Sequence, residues 1–292
     1  MKLPAQYIKA IGRYEPIRFG DVVAYPILMD EYEEFLSAKP AIEAMQQTFK
    51  VRYAVKPLLS ALYAMDMDSV LGGEPPLGLF NCALAFLALS LRLGRGKSLE
   101  ERVRQFRLMY SKTDPTDLQR IAYTQTINGK EQEISISPVL FAEMRPVLAA
   151  QNGIELIDEA DNPELIQAER DIAELNCPPM KQDIYAAIST VATFSHCDES
   201  EINSWPILKF DYRRKAIQRS LDYVICSINE GAGCKFKGGN PCPSPFFDKL
   251  KTSNSGLMAL SSFAGGQGEK AVMQQMATGA QNAPPPEFQQ KE

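Results

Sequence analysis

Apolar positions set the first outline of this chain. In the stretch after residue 204, Phe210, Ile217 and Val224 recur with Leu221 and Ile228. They form the two seams of a heptad-like face, which predicts a helix of about six turns packed along a partner. The helix starts at Ser204-Trp205-Pro206, with proline inside the first turn, and stops at Gly231-Ala232-Gly233, a glycine exit. The next segment is Lys235-Phe-Lys-Gly-Gly-Asn-Pro-Cys-Pro-Ser-Pro-Phe-Phe247. Proline and glycine leave little regular structure there, while its three phenylalanines need an apolar place to dock.

Elsewhere the pattern alternates between helical and extended spacing. Ile17, Phe19, Val22 and Val23 flank Gly20-Asp21, a hairpin turn. Asp30 opens a helix with Tyr32, Phe35 and Leu36 inward, interrupted at Pro40, and helical stretches come next over 41–49 and 54–65. Gly72 to Pro76 is a loop, and residues 78–93 read as a buried helix ending at Gly94. Ser98 and Glu101 form a capping box that starts a helix to about Tyr110. Residues 121–127 and 131–136 are strands around Asn128-Gly129, the clearest hairpin signal in the chain. Ser137-Pro138 caps a helix that ends at Asn152-Gly153. Residues 154–157 are a short strand or extended connector, and Asn162-Pro163 starts a helix to Leu175. A helix over 183–194 then leads to an acidic link at 198–201.

The expected fold class is mainly α, an α+β body with small antiparallel hairpins near 17–28 and 121–136. Pro178-Pro179 marks a boundary, which divides the chain into a body over 1–177 and a helical section over 178–250. Residues 251–292 are rich in Gly, Ala, Gln, Ser and Met and read as a disordered tail, with a transient helix near 269–277.

Composition narrows the function classes. The chain has 292 residues and a net charge of -5, so it has no global attraction for nucleic acid or anionic lipid. Two basic clusters, Arg92 to Arg107 and Arg213 to Arg219, read as solvated helix faces balanced by neighbouring acids. The most apolar run, Leu77 to Leu93, is interrupted by Asn81, Ser90 and Arg92 and is shorter than the roughly 20 residues of a membrane span. Met1 to Gly12 has no signal-type apolar core. With that start, the six cysteines are expected as reduced thiols in a cytoplasm.

Candidate chemistry is sparse. Gly94-Arg-Gly-Lys-Ser98 resembles a phosphate loop, but the required earlier glycine is Leu91 and a helix precedes it, so it reads as a helix-to-helix turn. Gly231 to Phe236 fails the dinucleotide pattern at its sixth residue. His196 is the sole histidine; it adjoins Cys197, although Cys177 would make a better catalytic partner, and it reads as a helix end. Cys234 and Cys242 are too far apart for a structural zinc pair. Lys235-Phe236-Lys237 is the one place where bases flank an aromatic. No catalytic, cofactor-binding or metal residue is assigned.

Three stretches carry a resemblance: Pro16 to Phe35, Leu58-Leu-Ser-Ala-Leu-Tyr-Ala64, and Trp205 to Phe247 with its Lys-Gly-Gly-Asn-Pro-Cys-Pro-Ser-Pro-Phe-Phe ending. Together they resemble phage and prophage proteins of Firmicutes encoded in tail modules just before the tape measure protein, products that look like tail assembly chaperones. The resemblance implies a non-enzymatic protein in the host cytoplasm. Such a protein keeps the apolar helices of a tape measure protein soluble and recruits tail tube subunits around them, with no nucleic acid or membrane involved. A structural tail or connector component retained in the virion is the alternative. The residues expected to contact a partner are Trp205, Tyr212, Arg213, Phe236, Phe246 and Phe247.

Overall fold

The computed structural model describes residues 3–127, 130–157, 183–236 and 240–246, together with positions 168 and 172. It is mainly helical, with two small antiparallel sheets. The elements up to the second sheet are α1 (Ala5–Gly12), β1 (Ile17–Phe19), β2 (Val22–Ala24), α2 (Tyr32–Glu43), α3 (Val51–Ala54), α4 (Leu58–Leu71), α5 (Leu79–Ser90) and α6 (Leu99–Val103). Then come β3 (Arg107–Tyr110), β4 (Leu118–Ile127), β5 (Lys130–Ile136), α7 (Pro138–Gln151), α8 (Ile184–Ser195), α9 (Glu199–Asn203) and α10 (Ile207–Gly231).

Helix α5 is the centre of the core. It is apolar on every side, and from Ala83 to Ser90 each residue is buried. A helix of that kind must be surrounded. Helix α2 covers one side, with the Phe35 and Phe86 rings 6.0 Å apart, and Tyr63 of α4 meets Phe80 edge-on at 5.0 Å. The three-stranded sheet, in the order β3-β4-β5, adds Ile121, Tyr123, Ile134 and Ile136 to the same core and packs through β4 against α4 and α7.

Several sequence signals act as expected. The first hairpin pairs Phe19 with Val22 across Gly20, whose φ of 61° suits glycine. The second pairs β4 with β5 in register from Ile121↔Ile136 to Ile127↔Lys130; its Asn128-Gly129 turn lies outside the described residues. Ser98 and Glu101 form the reciprocal capping box, and the Ser137 hydroxyl accepts from the Leu140 N–H. Residues 91–97 are the helix-to-helix turn expected of the Gly94–Ser98 segment.

Other expectations are corrected. The helix from Ser98 ends at Val103, and Arg107–Tyr110 is a strand. Phe106 is buried edge-on against Tyr123 at 6.0 Å, so docking on β4 overrides helix extension. Pro40 does not interrupt α2, which runs to Glu43, and Leu36 faces outward at 47% exposure. The missing Pro40 N–H would have bonded the Leu36 carbonyl, on that outward side. The helix expected over 54–65 begins only at Leu58, after Pro57, and runs on to Leu71 as α4, while the short α3 ends at Ala54. The stretch 41–49 is the end of α2 followed by a single 3₁₀ turn, Gln46–Thr48. The acidic link at 198–201 is the start of α9. Asp198 caps it through the Ser200 N–H, and Ile202 is fully buried. Of the two readings of residues 154–157, the strand is not formed, and they are a connector without regular structure. The 177/178 boundary, the helix expected over 163–175 and the tail over 251–292 lie outside the described residues.

One connection fixes the position of the C-terminal helices. Pro26 to Leu28 crosses the interior as a buried segment without regular structure, and Met29 begins a 3₁₀ turn, Met29–Glu31. The segment's backbone groups therefore need partners inside the protein. The Asn152 Oδ1 accepts from the Ile27 N–H at 2.9 Å, the Ile27 carbonyl accepts from the Ile207 N–H at 3.0 Å, and the Trp205 carbonyl accepts from the Met29 N–H at 2.9 Å. On either side, the Tyr25 N–H donates to the Ser90 carbonyl, and Arg102 donates to the buried Glu31 carboxylate at 2.5 Å. The start of α10 is thereby bound to α5, α6 and α7.

Removing the Asn152 amide by Asn152→Ala leaves the Ile27 N–H without an acceptor in a dry site. A loss of roughly 1–3 kcal/mol in urea unfolding is expected. A loss of a few tenths would show that this bond is not needed to hold the segment.

Candidate helix-docking site

Helix α10 divides into two parts. Ile207, Leu208 and Phe210 are buried in the common core, and Ile217 packs against it. Beyond that point the same face continues into solvent. Leu221, Val224, Ile225 and Ile228 are 39, 51, 56 and 64% exposed. Phe210, Ile217, Leu221, Val224 and Ile228 have the alternating spacing of a coiled-coil seam, and Ile225 widens its last turns. The partner expected along the whole helix is therefore met within the chain only as far as Ile217. The positions flanking the open part, Gln218, Ser220 and Ser227, carry no charge. This open seam is about 10 Å long, two turns of helix.

Before the open part, the helix carries a polar cluster beside Phe210 and Ile217 that is internally balanced. Asp211 takes Arg214 at 3.0 Å and Lys215 at 2.7 Å. Burial alone would raise the Asp211 carboxyl, but these two cations outweigh it and hold it below its ordinary value of 3.8. The upstream basic cluster is only in part the solvated, acid-balanced helix face expected of it, since Arg102 is buried and Arg107 is in β3. Arg95 meets Asp30 at 2.6 Å, Arg92 lies over the Tyr25 ring at 4.6 Å, and Arg102 is buried with Glu31.

After Gly231 the chain folds back along α10. The Cys242 Sγ lies 3.6 Å from the Arg219 carbonyl, and Cys242 also contacts the Ser244 carbonyl at 3.7 Å. Cys226 is buried, and Phe236 is half-buried. Phe246, at the end of this return, is 78% exposed. The chain therefore leaves the described structure from a loop that passes α10 within one turn of Leu221.

Of the residues expected to meet a partner, Trp205 is in the core, 6% exposed, with the Lys209 ammonium 4.0 Å from its ring centre. Tyr212 and Arg213 are exposed and come together beside Tyr14. Burial and the nearby Tyr212 phenol raise the Tyr14 hydroxyl, and the Arg213 charge opposes them. Phe236 and Phe246 belong to the returning loop, and Phe247 lies outside the described residues. Ile225 was missed. It falls outside the strict seam, and only its neighbours' exposure shows that the stripe is open.

The remaining candidates offer little chemistry. His196 is exposed at the end of α8, in the left-handed conformation at φ 52°, and Cys177 lies outside the described residues. Among the described residues no group of three His, Cys, Asp or Glu side chains is placed to hold a metal ion, and no helix is long and apolar enough to cross a membrane. A cavity of about 530 Å³ between α7, the chain at the end of α2 and residues 154–157 is lined mainly by apolar side chains such as Leu58, Pro146 and Ile154. Its charged lining residues are Glu43 and Arg145, and Arg145 donates to the Ile42 and Ala44 carbonyls.

No protein-family model, curated protein or solved structure matches the chain.

The two halves of α10 predict opposite responses to truncation. Phe210→Ala should cost roughly 3–5 kcal/mol, as for a fully packed aromatic. Ile225→Ala should stay within about 0.5 kcal/mol, as for a surface site. Urea unfolding of the two variants checks this, and equal losses would mean that the outer seam is part of the core.

Proposed function

We propose that this protein is a non-enzymatic helix-binding chaperone of the tail-assembly kind. It seats an apolar helix of a tape measure protein on the open α10 seam, keeps that helix soluble in the host cytoplasm and releases it as tail tube subunits assemble around it. The observation that carries the reading is the stripe Leu221, Val224, Ile225 and Ile228, which extends the core's own packing face into solvent. Amphipathic helices bind such stripes through anchors at this spacing. The uncharged flanks also support it, because they set no charge requirement on the incoming helix. Phe246 and, nearer the start of α10, Tyr212 and Arg213 are the accessible members of the predicted contact set. The likeness of residues 16–35, 58–64 and 205–247 to tail assembly chaperones supplies the identity of the partner.

The test is co-expression with the tape measure product encoded beside it, comparing the native chain with Leu221→Asp/Ile228→Asp. The native chain should hold the tape measure in the soluble fraction. Each lost anchor costs on the order of 1–2 kcal/mol, so the double variant should recover at least tenfold less complex, with an unchanged circular dichroism spectrum. A tape measure that stays insoluble with the native chain, or is equally soluble with the variant, overturns the reading. Recovery of the protein in purified virions in stoichiometric amounts would favour a structural tail or connector component instead.

A further inference from the structure

The cavity beside α7, of about 530 Å³, falls within the roughly 300–1,000 Å³ of small-molecule sites. Leu58 and Ile154 are its buried walls, and Met45, Pro146, Ala150 and Leu156 are half-buried around it. Its two charged lining residues are of opposite sign, and the Glu43 carboxylate is met by Lys39 at 2.9 Å, one helical turn back. The lining therefore asks for no net charge in an occupant. Donors in the lining are turned onto protein carbonyls. The Gln46 amide N–H groups donate to the Ala54 and Lys56 carbonyls, and Arg145 donates to those of Ile42 and Ala44. An acceptor is supplied by α7 itself. Pro146 lies inside that helix and has no N–H, so the bond that would close on the Ala142 carbonyl, four residues back, cannot form. Ala142 and Pro146 both line the cavity, which places that acceptor at the wall of an apolar recess.

We propose that this cavity binds a small uncharged molecule with an apolar body and one hydrogen-bond donor, which it gives to the Ala142 carbonyl. Burial of the apolar body supplies the affinity, and the donor sets the orientation. An N–H or a hydroxyl fits that carbonyl, whereas a carboxylate in the same place would turn acceptors onto an acceptor. The site shares no lining residue with the α10 seam and does not depend on the helix-binding reading.

The experiment titrates the full chain with N-phenyl-1-naphthylamine, an uncharged aromatic amine with one N–H whose fluorescence rises in apolar surroundings. Saturable binding of one molecule per chain is expected. Ala150→Phe, which fills the recess, should weaken binding at least tenfold with unchanged circular dichroism; Ala142→Phe, at the exposed rim, serves the same purpose should the first variant not fold. The seam variant Leu221→Asp/Ile228→Asp should bind within twofold of the native chain. The donor is read with 1-phenoxynaphthalene, which has an ether oxygen in place of the N–H and displaces the fluorescent amine. It should bind the native chain about three- to tenfold more weakly, the worth of one hydrogen bond. Pro146→Ala, which returns the Ala142 carbonyl to the helix ladder, should bring the two ligands within twofold of each other. No saturable binding, binding unchanged in the filled cavity, binding lost in the seam variant, or an ether that binds the native chain as well as the amine does, each overturns the proposal.

Discussion

The architecture depends on how one buried irregular segment satisfies its backbone. Pro26 to Leu28 crosses the interior without a strand on each side, so its peptide groups could have been left unpaired in an apolar medium. Proline at 26 removes one donor from that requirement. The Ile27 N–H is met by a side chain at the end of α7, and the Ile27 carbonyl and Met29 N–H by the backbone just before and at the start of α10. An unpaired peptide group in such a place costs about as much as a whole mutational effect, so these bonds fix three distant parts of the chain at once. The buried Arg102–Glu31 pair extends the same connection to α6, with Arg102 also donating to the Leu93 and Ala88 carbonyls. Each donor matched inside the core in this way offsets part of the desolvation cost of the ion pair.

The base of α10 is held by this connection, and the rest of the helix inherits its direction. Three buried side chains near its start and Ile217 complete the core, and the helix then continues for nearly four more turns. A rigid, core-anchored helix presents its side chains in a fixed pattern. The Leu221–Ile228 stripe is thus a preformed surface, which lowers the ordering cost of binding. The return of the chain at Cys242 covers a different part of the helix and leaves that stripe open.

Much of this was legible from residue order, because the signals were local. Gly20-Asp21, the Ser98/Glu101 box, Ser137-Pro138 and the glycine exit at 231–233 each act within a few residues, and each formed. The strand at 107–110 was not legible, since it exists through pairing with β4 and the docking of Phe106 on Tyr123. Nothing within the segment distinguishes it from the last turns of a helix. The same holds for α9, whose one buried anchor, Ile202, is visible only once the core is assembled. The seam of α10 was readable as a pattern, with Val224, Leu221 and Ile228 in place. The point where its packing stops was not, because that depends on where the rest of the body ends. Trp205 illustrates the converse: a lone tryptophan looks like a contact residue, but its backbone carbonyl holds Met29 and its ring fills the core.

Amide hydrogen exchange along α10 in the full chain, alone and saturated with a tape measure helix, probes the open seam without altering it. Residues 207–217 should exchange only with global unfolding in both states, because they belong to the core. Added protection on binding should concentrate in residues 218–231. Protection gained elsewhere on the body, with 218–231 unchanged, would contradict the claim that the open seam is where the partner sits.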